Sequence, residues 1–525
     1  MMARKRHRMI RDPATTDLAS PGRLEQIPAR WAGTRGSALA LADARGEWTW
    51  RELEHGRKQL AELLLTLGVR AGDRVMVIGE NCASLVALLF AISSVGAWVV
   101  PVNARLSPRE IDAIRTHSSP RRVLYLGDDS PDARHHAERV KATRLSLGRW
   151  GTISVTPLDE RCAAEPVVGN PAKDVAAVLY TTGTTGEPKG VMLTHANLLF
   201  IARLSAELRR LGPDDRAYGL LPLSHVYGFA SVCLGSLRAG ASLHLQARFA
   251  PASMAEFLVT RGITVCQGVP TLYAKLLEHL KAQRAPFAAP QLRFLYAGGA
   301  PLAPSVKRDV EAFFKLTLHN GYGLTEAAPT LMQTRHEEPR GDCSVGRVLP
   351  GIEVRIVDRE SNDVAQGQPG ELWARGPNIM KGYYRDPDAT AAVMRPGGWL
   401  ATGDIARQGD DGAYFIEGRL KELIIRSGFN VFPAEVETVL NSHPEVSQSA
   451  VVGRCAGADE EVVAFVELAA GAHVTAAELQ EFAAASLAPY KRPAEIIVIA
   501  ALPAAASGKI LKARLAQLAL ESRRA

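Results

Sequence analysis

Short apolar runs alternate with longer segments of helical periodicity over the first two thirds of the chain. The runs at residues 74–78 and 175–179 have the length and composition of buried strands, and residues 83–95 those of a buried helix. Residues 49–52 (TWRE) and 107–110 (SPRE) are capping boxes, which predict that helices begin there. Strands that alternate with helices indicate βαβ units and parallel sheets, so we predict an α/β fold.

The pattern changes twice along the chain. Residues 127–172 look irregular and polar, and residues 344–417 show short alternating strands broken by Gly, Pro and Asp, as in antiparallel β structure. After Gly418 a compact unit of about a hundred residues follows. We therefore predict a basic flexible tail (1–30), a large N-terminal domain with parallel sheets and a small β-rich subdomain (31–418), and a small α+β C-terminal domain (419–525).

The composition is that of a globular protein: of 525 residues, 47% are hydrophobic and 22% are charged. Part of the net charge of +7 lies in a basic cluster between Arg4 and Arg11, which we interpret as a solvated tail; contact with nucleic acid or membrane is the alternative. No apolar core of a signal peptide follows this cluster, and no run of about 18 apolar residues occurs. The six cysteines are scattered without a C-x-x-C motif, which favours reduced thiols and a cytoplasmic location.

The strongest candidate for chemistry is the loop at residues 180–190, which reads YTTGTTGEPKG. Glycines allow close approach of the backbone to a ligand, and successive free N–H groups form an anion-binding nest. Threonine hydroxyls add donors and Lys189 adds a positive charge, so the loop suits a polyphosphate. Pro188 stands where a Walker loop needs its second glycine, which excludes that motif. A flexible surface loop remains the alternative.

Two further turns carry carboxylates after strand-like segments. Residues 320–326 (NGYGLTE) end in Glu326, which could hold Mg²⁺ against phosphates or could cap the next helix. Asp404 in residues 402–404 (TGD) could accept hydrogen bonds from ribose hydroxyls, and a turn aspartate is the alternative. We predict that Lys189, Glu326, Asp404 and Arg419 line one cavity.

Three other segments have an unusual composition. Arg419 in GRLKE could reach the same ribose or belong to a solvated linker. His225 and Tyr227 lie in an otherwise apolar stretch, where a satisfied core histidine is the default interpretation. Lys509 in SGKIL belongs either to a basic terminal helix or to a mobile domain that carries the lysine to a developing negative charge.

Together these motifs, in this order and spacing, resemble the adenylate-forming superfamily of acyl-CoA synthetases, adenylation domains and firefly luciferase. The resemblance spans about residues 30–515. It implies a large N-terminal domain, a small mobile C-terminal lid and an active site between them. It also implies ATP, Mg²⁺ and coenzyme A: a carboxylate attacks the ATP α-phosphate to give acyl-adenylate and pyrophosphate, and a thiol then displaces AMP.

The resemblance assigns roles by position. It implies a phosphate loop formed by Thr181, Thr182, Gly183, Thr184, Thr185 and Lys189. It implies that Tyr322 stacks on adenine, that Thr325 contacts the α-phosphate and that Glu326 binds Mg²⁺. Asp404 and Arg419 would contact the ribose.

The remaining roles concern the lid and the acid. Lys421 would be the hinge, and Lys509 would bridge the substrate carboxylate and the phosphate. His225 would gate the acyl site, and Gly428 would lie beside the pantetheine channel.

The expected walls of the acyl pocket are apolar and small, and a fatty or an aromatic acid would suit them. These walls are Tyr227, Phe229, Val269, Pro270, Gly298, Gly299, Ala300, Gly321 and Gly323. An amino-acid substrate needs a buried carboxylate to pair its ammonium group. Residues 221–238 contain no Asp or Glu, which argues against a peptide-synthetase adenylation domain.

The favoured function is therefore an AMP-forming ligase of a fatty or aromatic acid with coenzyme A. An acyl-AMP ligase that loads a carrier protein is the second hypothesis, and a non-catalytic nucleotide- or acyl-binding homologue is the third. The expected partners are small molecules, with no nucleic acid and no transmembrane segment, and a homodimer is left open.

Overall fold

The computed structural model of the chain describes residues 22–182, 188–283, 286–426, 429–456, 459–469, 471–504 and 510–522. Its first elements follow the predicted alternation of strands and helices. They are α1 (Gln26–Arg35), β1 (Leu39–Ala42), β2 (Glu47–Thr49), α2 (Trp50–Thr66), β3 (Arg74–Gly79), α3 (Ala83–Ser94), β4 (Trp98–Asn103), α4 (Pro108–Ser118), β5 (Arg122–Tyr125), α5 (Pro131–Arg139), β6 (Thr143–Ser146), β7 (Thr152–Val155) and β8 (Val175–Thr182).

The middle of the chain continues the alternation and contains a π-helix at Tyr227–Leu234. Its elements are β9 (Pro188–Thr194), α6 (His195–Leu208), β10 (Arg216–Gly219), α7 (Gly235–Arg238), β11 (Ser242–Leu245), α8 (Pro251–Thr260), β12 (Val265–Gly268), α9 (Pro270–Gln283), β13 (Phe294–Ala297), α10 (Pro304–Phe314), β14 (Leu318–Gly323) and β15 (Thr330–Gln333).

The last third contains short strands and then a separate small unit. The short strands are β16 (Arg347–Val348), β17 (Glu353–Val357), β18 (Gly370–Arg375), β19 (Gly382–Tyr383), β20 (Met394–Arg395), β21 (Trp399–Gln408) and β22 (Tyr414–Arg419), with α11 (Pro387–Val393) before β20. The small unit has β23 (Ile424–Arg426), β24 (Phe429–Val431), α12 (Pro433–Leu440), β25 (Val446–Ala456), β26 (Asp459–Leu468), α13 (Ala476–Ser486), β27 (Glu495–Ile499) and α14 (Lys512–Ser522).

Three sheets build the large N-terminal part. The first has the order β16-β15-β14-β13-β12-β10-β11-β1-β2, and its strands from β14 to β1 are parallel. The second has the order β19-β9-β8-β4-β3-β5-β7-β6, with a parallel centre. The third is antiparallel and joins β17, β18, β21 and β20, with β22 on β21. The predicted parallel sheets and the β-rich subdomain are both present.

One large hydrophobic core joins the first two sheets. It includes residues of β1, α2, α3, β8, the π-helix and β13, and the side chains of α3 are buried from Ala83 to Ser93. The small C-terminal unit has its own cores around β25 and β26, which fits a separately packed domain.

Two predictions of local structure need correction. Residues 127–172 are not irregular, because they contain α5, β6 and β7. Helix α5 was missed because its sequence, PDARHHAER, is strongly polar and its buried face consists only of Ala133, His136 and Ala137, although Ser130 caps it and Pro131 opens it. In addition, α1 begins at Gln26, inside the segment 1–30 that we predicted as a tail, and Ile27 is fully buried.

Both predicted capping boxes are confirmed. Thr49 accepts the Glu52 backbone N–H and Glu52 accepts the Thr49 backbone N–H, and Ser107 and Glu110 repeat the pattern at α4. A third capping box begins α6 at Thr194, directly after the loop at residues 180–190. The first turn of α6, which follows the two strands of that hairpin, is therefore fixed by hydrogen bonds of the capping box.

Two helical glycines give a matched stability test. A Cβ at Gly56 in α2 would overlap the ring of Trp150, whereas a Cβ at Gly33 in α1 would have no atom within 4 Å. We expect Gly33→Ala to raise the free energy of unfolding by about 0.5–1 kcal/mol, because glycine is unfavourable inside helices. We expect Gly56→Ala to lower it by about 1–3 kcal/mol, because overpacking outweighs that gain.

Chemical denaturation of the two variants and the wild-type protein measures both values. Equal stabilisation by the two substitutions would contradict the packing of α2 against Trp150.

Candidate functional site

A buried carboxylate lies where the first and third sheets meet. Asp404 on β21 is 3% exposed and opposes Arg419 on β22 in the antiparallel register. Arg419 Nε lies 3.0 Å from Asp404 Oδ1, and the Tyr322 hydroxyl donates to Asp404 Oδ2. Burial, and then the Asp404 carboxylate, raise the pKa of Tyr322 well above its ordinary value, so the tyrosine stays a donor.

A second carboxylate lies beside this cluster. Glu326 belongs to a 3₁₀ turn at Thr325–Ala327, after β14, and its Oε1 accepts a 2.6 Å hydrogen bond from the Tyr383 hydroxyl. Lys189 Nζ lies 5.0 Å from the centroid of the same Tyr383 ring. Burial, and next the neighbouring Glu326 carboxylate, raise the pKa of Tyr383, whereas the Arg419 cation lowers it to a smaller extent.

The four residues predicted to line one cavity lie close to one another in the structure. Tyr383 connects Lys189 with Glu326, and Asp404 holds Arg419, whose own electrostatic neighbours include Glu326. The cluster combines two cations, two carboxylates and two tyrosine hydroxyls.

The described phosphate-loop candidates Thr181, Thr182 and Lys189 lie on the two strands of a hairpin. Strands β8 and β9 are antiparallel, with Thr181 opposite Lys189 and Thr182 opposite Pro188. The hairpin directs Lys189 toward Tyr383, as described. Gly183, Thr184, Thr185 and the side chain of Thr182 lie outside the described residues.

The turn after β14 requires its glycines. A Cβ at Gly321 would overlap the Tyr296 hydroxyl, and a Cβ at Gly323 would overlap the carbonyl of Pro329. These close approaches fix the backbone on either side of Tyr322 against Tyr296 and strand β15, and the nearby Thr325 is 8% exposed. The turn thus joins the nucleotide candidates to the expected acyl pocket.

Several of the expected pocket walls do come together. A Cβ at Gly298 would lie 3.3 Å from Tyr296 and 3.4 Å from Tyr227, and one at Gly299 would lie 3.5 Å from Val269. The rings of Tyr227 and Tyr296 meet edge to face, with centroids 6.1 Å apart. The Gly298–Gly299 backbone and the two tyrosine rings thus pack closely together at the expected acyl pocket, and we call this group the slot.

The other predicted wall residues occupy different positions. Phe229 is fully buried in the large core, Pro270 is the first residue of α9, and Ala300 is partly exposed beyond the glycine pair.

His225 stands at the entrance to the π-helix. Its carbonyl accepts the Phe229 backbone N–H at 2.9 Å, its Nδ1 accepts the Tyr227 backbone N–H at 3.3 Å, and its side chain is exposed. The default interpretation of a satisfied core histidine is therefore wrong. π-helical turns recur at functional sites because they redirect side chains, and here the turn aims Tyr227 at the slot.

The predicted hinge lies between the third sheet and the small C-terminal unit. Strand β22 continues through Gly418 to Arg419, and Lys421 is exposed in the 3₁₀ turn that follows. Lys512 Nζ lies 3.0 Å from Glu422 and 2.8 Å from Glu437, so α14 is tied to both the hinge and α12. Gly428 and Lys509 lie outside the described residues.

The sequence did not indicate a role for three residues of this region. Tyr383 lies on a two-residue strand that pairs with β9. In the sequence, Lys512 is one lysine of a basic C-terminal segment, and Arg209 resembles the polar end of α6. Arg209 is nevertheless 1% exposed and lies over Tyr296. A charged residue directly after an apolar helix gives no indication of burial, because such residues usually face solvent.

Residues 28–384 match the family described as AMP-binding enzyme, and residues 435–509 match the AMP-binding enzyme C-terminal domain. The chain belongs to the AMP-binding enzymes. The predicted adenylate-forming superfamily is confirmed.

Relatives of this AMP-binding enzyme match nearly its whole length. A feruloyl-CoA synthase of Amycolatopsis sp is 34% identical over 490 residues, 92% of this chain and 96% of the relative. A 4-coumarate–CoA ligase of Oryza sativa subsp. japonica is 34% identical over 535 residues, which cover 95% of this chain and 93% of the relative. The crystal structure of ATP-bound MatB from Rhodopseudomonas palustris is 29% identical, with a TM-score of 0.82 over 94% of this chain and 98% of that chain.

These findings confirm the fold class and the reaction class. The enzyme is an acyl-CoA ligase that forms an acyl-adenylate and then a coenzyme A thioester. It uses ATP, Mg²⁺ and coenzyme A, as predicted. Across the part of the chain that the structure describes, no helix is long and apolar enough to cross a membrane.

The Mg²⁺ ion fits the donors that this AMP-binding enzyme presents. Within the described ranges, no group of three or more His, Cys, Asp or Glu side chains forms a metal site. Mg²⁺ commonly takes one or two carboxylates and otherwise binds water and substrate phosphates, so Glu326 alone beside a phosphate site suits it.

The Asp404 cluster leads to a binding prediction. We expect Asp404→Asn to weaken ATP binding roughly 10- to 100-fold, because hydrogen bonds to charged groups contribute about 1.5–3 kcal/mol. Isothermal titration of the folded protein with ATP measures the change.

Asp363→Asn is the matched control, because Asp363 pairs with Arg355 at 2.7 Å on the surface and is 66% exposed. We expect no change in ATP affinity there. Wild-type ATP affinity in the Asp404→Asn protein would show that this carboxylate does not hold the nucleotide.

Proposed function

We propose that this AMP-binding enzyme activates an aromatic carboxylic acid and transfers its acyl group to coenzyme A. The observation that carries the choice of acid is the packing of the Tyr227 and Tyr296 rings beside the Gly298–Gly299 backbone at the expected acyl pocket. An acyl pocket bounded by aromatic rings suits a planar ring, since edge-to-face pairs contribute about 0.5–1.5 kcal/mol beyond burial. Two relatives whose names specify feruloyl and 4-coumarate substrates support the same class.

We assign the nucleotide to the Asp404 cluster. Asp404 accepts hydrogen bonds and is buried, so it suits ribose hydroxyls, and Arg419 pairs with its charge at 3.0 Å. Tyr322 presents its ring beside them. We assign Lys189 and Thr181 on the hairpin to the phosphates.

The first chemical step joins two anions, so its barrier depends on charge neutralisation. A carboxylate oxygen of the acid forms a bond to the α-phosphorus while the bond to pyrophosphate breaks. Lys189, and Thr325 on the turn after β14, stabilise charge on the phosphate oxygens, and preorganised donors of this kind supply large rate effects. Bound Mg²⁺ supplies further neutralisation of phosphate charge.

Tyr383 has a positioning role in this scheme. Its hydroxyl holds Glu326 at 2.6 Å, and its ring lies against Lys189. The tyrosine thereby separates the cation from the carboxylate and keeps Glu326 available for the metal.

The second step uses the small C-terminal unit. We assign Lys509 to the adenylation step and Lys421 to the hinge that withdraws it. After rotation, the Gly428 region would face the cleft and the thiol would attack the acyl carbon, with loss of its proton and departure of AMP. His225, exposed beside Tyr227, would gate the thiol's access to the acid.

We also propose a cytoplasmic location and, as a separate hypothesis, a homodimer. The described thiols of Cys82, Cys162, Cys233 and Cys266 are buried and unbridged, which suits a reducing compartment. Light scattering of the purified protein tests the homodimer.

A panel of acids tests the proposed substrate class. We expect kcat/KM for cinnamic and benzoic acids to exceed that for hexanoic and decanoic acids roughly tenfold or more, which corresponds to about 1.4 kcal/mol of transition-state binding. Pyrophosphate release measures activation. Higher kcat/KM with alkyl acids would overturn the aromatic assignment, and transfer to a carrier protein but not to coenzyme A would overturn the acceptor.

Partial reactions test Lys509. We expect Lys509→Ala to slow adenylate formation on the order of 10²–10³-fold, as loss of one charge-stabilising donor does elsewhere. Thioester formation from supplied acyl-AMP should stay near the wild-type rate. Lys281→Ala is the control, because Lys281 pairs with Asp309 on the exposed face of α9. Equal slowing of both half-reactions would contradict a role confined to adenylation.

A further inference from the structure

Arg209 is a buried cation next to the acyl slot. It directly follows α6, is 1% exposed, and its guanidinium carbon lies 4.3 Å from the centroid of the Tyr296 ring. Its Nη1 donates to Gln267 Oε1 at 2.5 Å, and its Nη2 donates to Gln333 Oε1 at 3.4 Å. Both acceptors are neutral amides.

Other buried arginines are compensated differently. Arg74, which is fully buried, donates to four backbone carbonyls, and Arg454 pairs with Glu461 and Glu495. In the part of the chain that the structure describes, no carboxylate lies within ion-pair distance of Arg209. A buried charge without an opposite charge is costly, so Arg209 has capacity for an anionic partner.

The cluster also contains donors without acceptors. Among the described residues, Arg209 Nε, Gln267 Nε2 and the Tyr227 hydroxyl are buried and have no hydrogen-bond partner. Because arginine can only donate, it fixes the Gln267 oxygen toward itself and leaves the NH₂ group unpaired. Native proteins rarely leave several buried donors unsatisfied, and such groups call for a ligand or another explanation.

The strand register places this cluster against the slot. Gln267, Tyr296 and His319 are direct neighbours on β12, β13 and β14. Tyr296 and Tyr227 both approach the position of a Cβ at Gly298, so they belong to the slot and to the cluster at once. Burial, and to a smaller degree neighbouring charges that include Arg209, lower the pKa of His319 to about 4, so this histidine is neutral.

We propose that Arg209 and Gln267, with the Tyr227 hydroxyl, form a specificity site for a negatively polarised oxygen at the far end of the acid. This inference rests on the proposed aromatic substrate. It adds that the substrate carries a polar oxygen at the end opposite the reacting carboxylate. The oxygen would accept hydrogen bonds from the three free donors, and a charged oxygen would also neutralise Arg209. A carboxylate and a phenolic oxygen share this chemistry.

The test compares cinnamic acids that differ at the ring position opposite the propenoic chain. That position carries a carboxylate, a hydroxyl or a methyl group. For the wild-type enzyme we expect kcat/KM with either oxygen-bearing acid to exceed that with the methyl acid roughly 10- to 100-fold, the effect of a hydrogen bond to a charged group. The ranking of carboxylate against hydroxyl identifies the source of the oxygen.

Three variants remove the donors one at a time. In Arg209→Met, Gln267→Leu and Tyr227→Phe we expect the ratio of kcat/KM for the oxygen-bearing acid to kcat/KM for the methyl acid to fall, most strongly toward one in Arg209→Met. In Arg209→Met and Gln267→Leu, kcat/KM for the methyl acid should persist, because only the polar end has lost its partners. Should Arg209→Met fail to fold, the ratios in Gln267→Leu and Tyr227→Phe decide.

Tyr273→Phe is the matched control. Tyr273 is fully buried on α9, and its hydroxyl donates to the backbone carbonyls of Cys266 at 3.0 Å and Tyr296 at 2.9 Å. Loss of this hydroxyl should lower the midpoint temperature of thermal unfolding. It should leave the ratio of kcat/KM for the oxygen-bearing acid to kcat/KM for the methyl acid unchanged.

The outcomes separate this inference from the proposed function. Aromatic acids preferred over alkyl acids, with equal use of the oxygen-bearing and methyl compounds, would overturn the Arg209 site alone. A ratio that stays at the wild-type value in folded Arg209→Met would do the same. Preference for alkyl acids over every cinnamate would overturn the proposed aromatic substrate itself.

Discussion

The active-site region depends on the satisfaction of one buried carboxylate. Asp404 is 3% exposed, and a buried charge is tolerated only when opposite charge and hydrogen bonds compensate it. Arg419 is supplied by the neighbouring strand of the same sheet, and Tyr322 comes from the end of the first sheet. The compensation therefore requires the two sheets to meet at this point. The same contact places the turn carrying Glu326 next to the strand that leads out of the large domain.

In the proposed function, that arrangement would couple nucleotide binding to the hinge. Arg419 is the last residue of β22, and Lys421 follows in the next turn. An ion pair that fixes the end of β22 limits motion to the residues after it, so rotation of the small unit need not disturb Asp404. On the other side of the hinge, Lys512 holds Glu422 and Glu437 together. The proposed hinge residue Lys421 lies in the short segment between these two ion-pair groups.

The sequence was informative where chemistry and local pattern coincide. Gly-rich turns after apolar runs located Glu326, Asp404 and the hairpin of Lys189, because such turns bring polar side chains to strand ends. It was uninformative where a role depends on packing between distant elements. Tyr383 acquires its partner from a turn 57 residues earlier, and no local pattern encodes that contact. Helix α5 was missed for a different reason, since its buried positions carry only small or polar side chains and the large apolar residues that identify helices are absent.

Arg209 extends this reasoning to specificity. A sequence that folds well usually satisfies local rules everywhere, and departures from those rules are expected mainly at functional sites. A guanidinium at 1% exposure, held by two amides and an aromatic face, is such a departure. Replacing it with an apolar side chain would be the simpler way to fill the same volume. Retention of the charge beside a slot lined by Tyr227 and Tyr296 is therefore better explained by what enters the slot than by the stability of the fold.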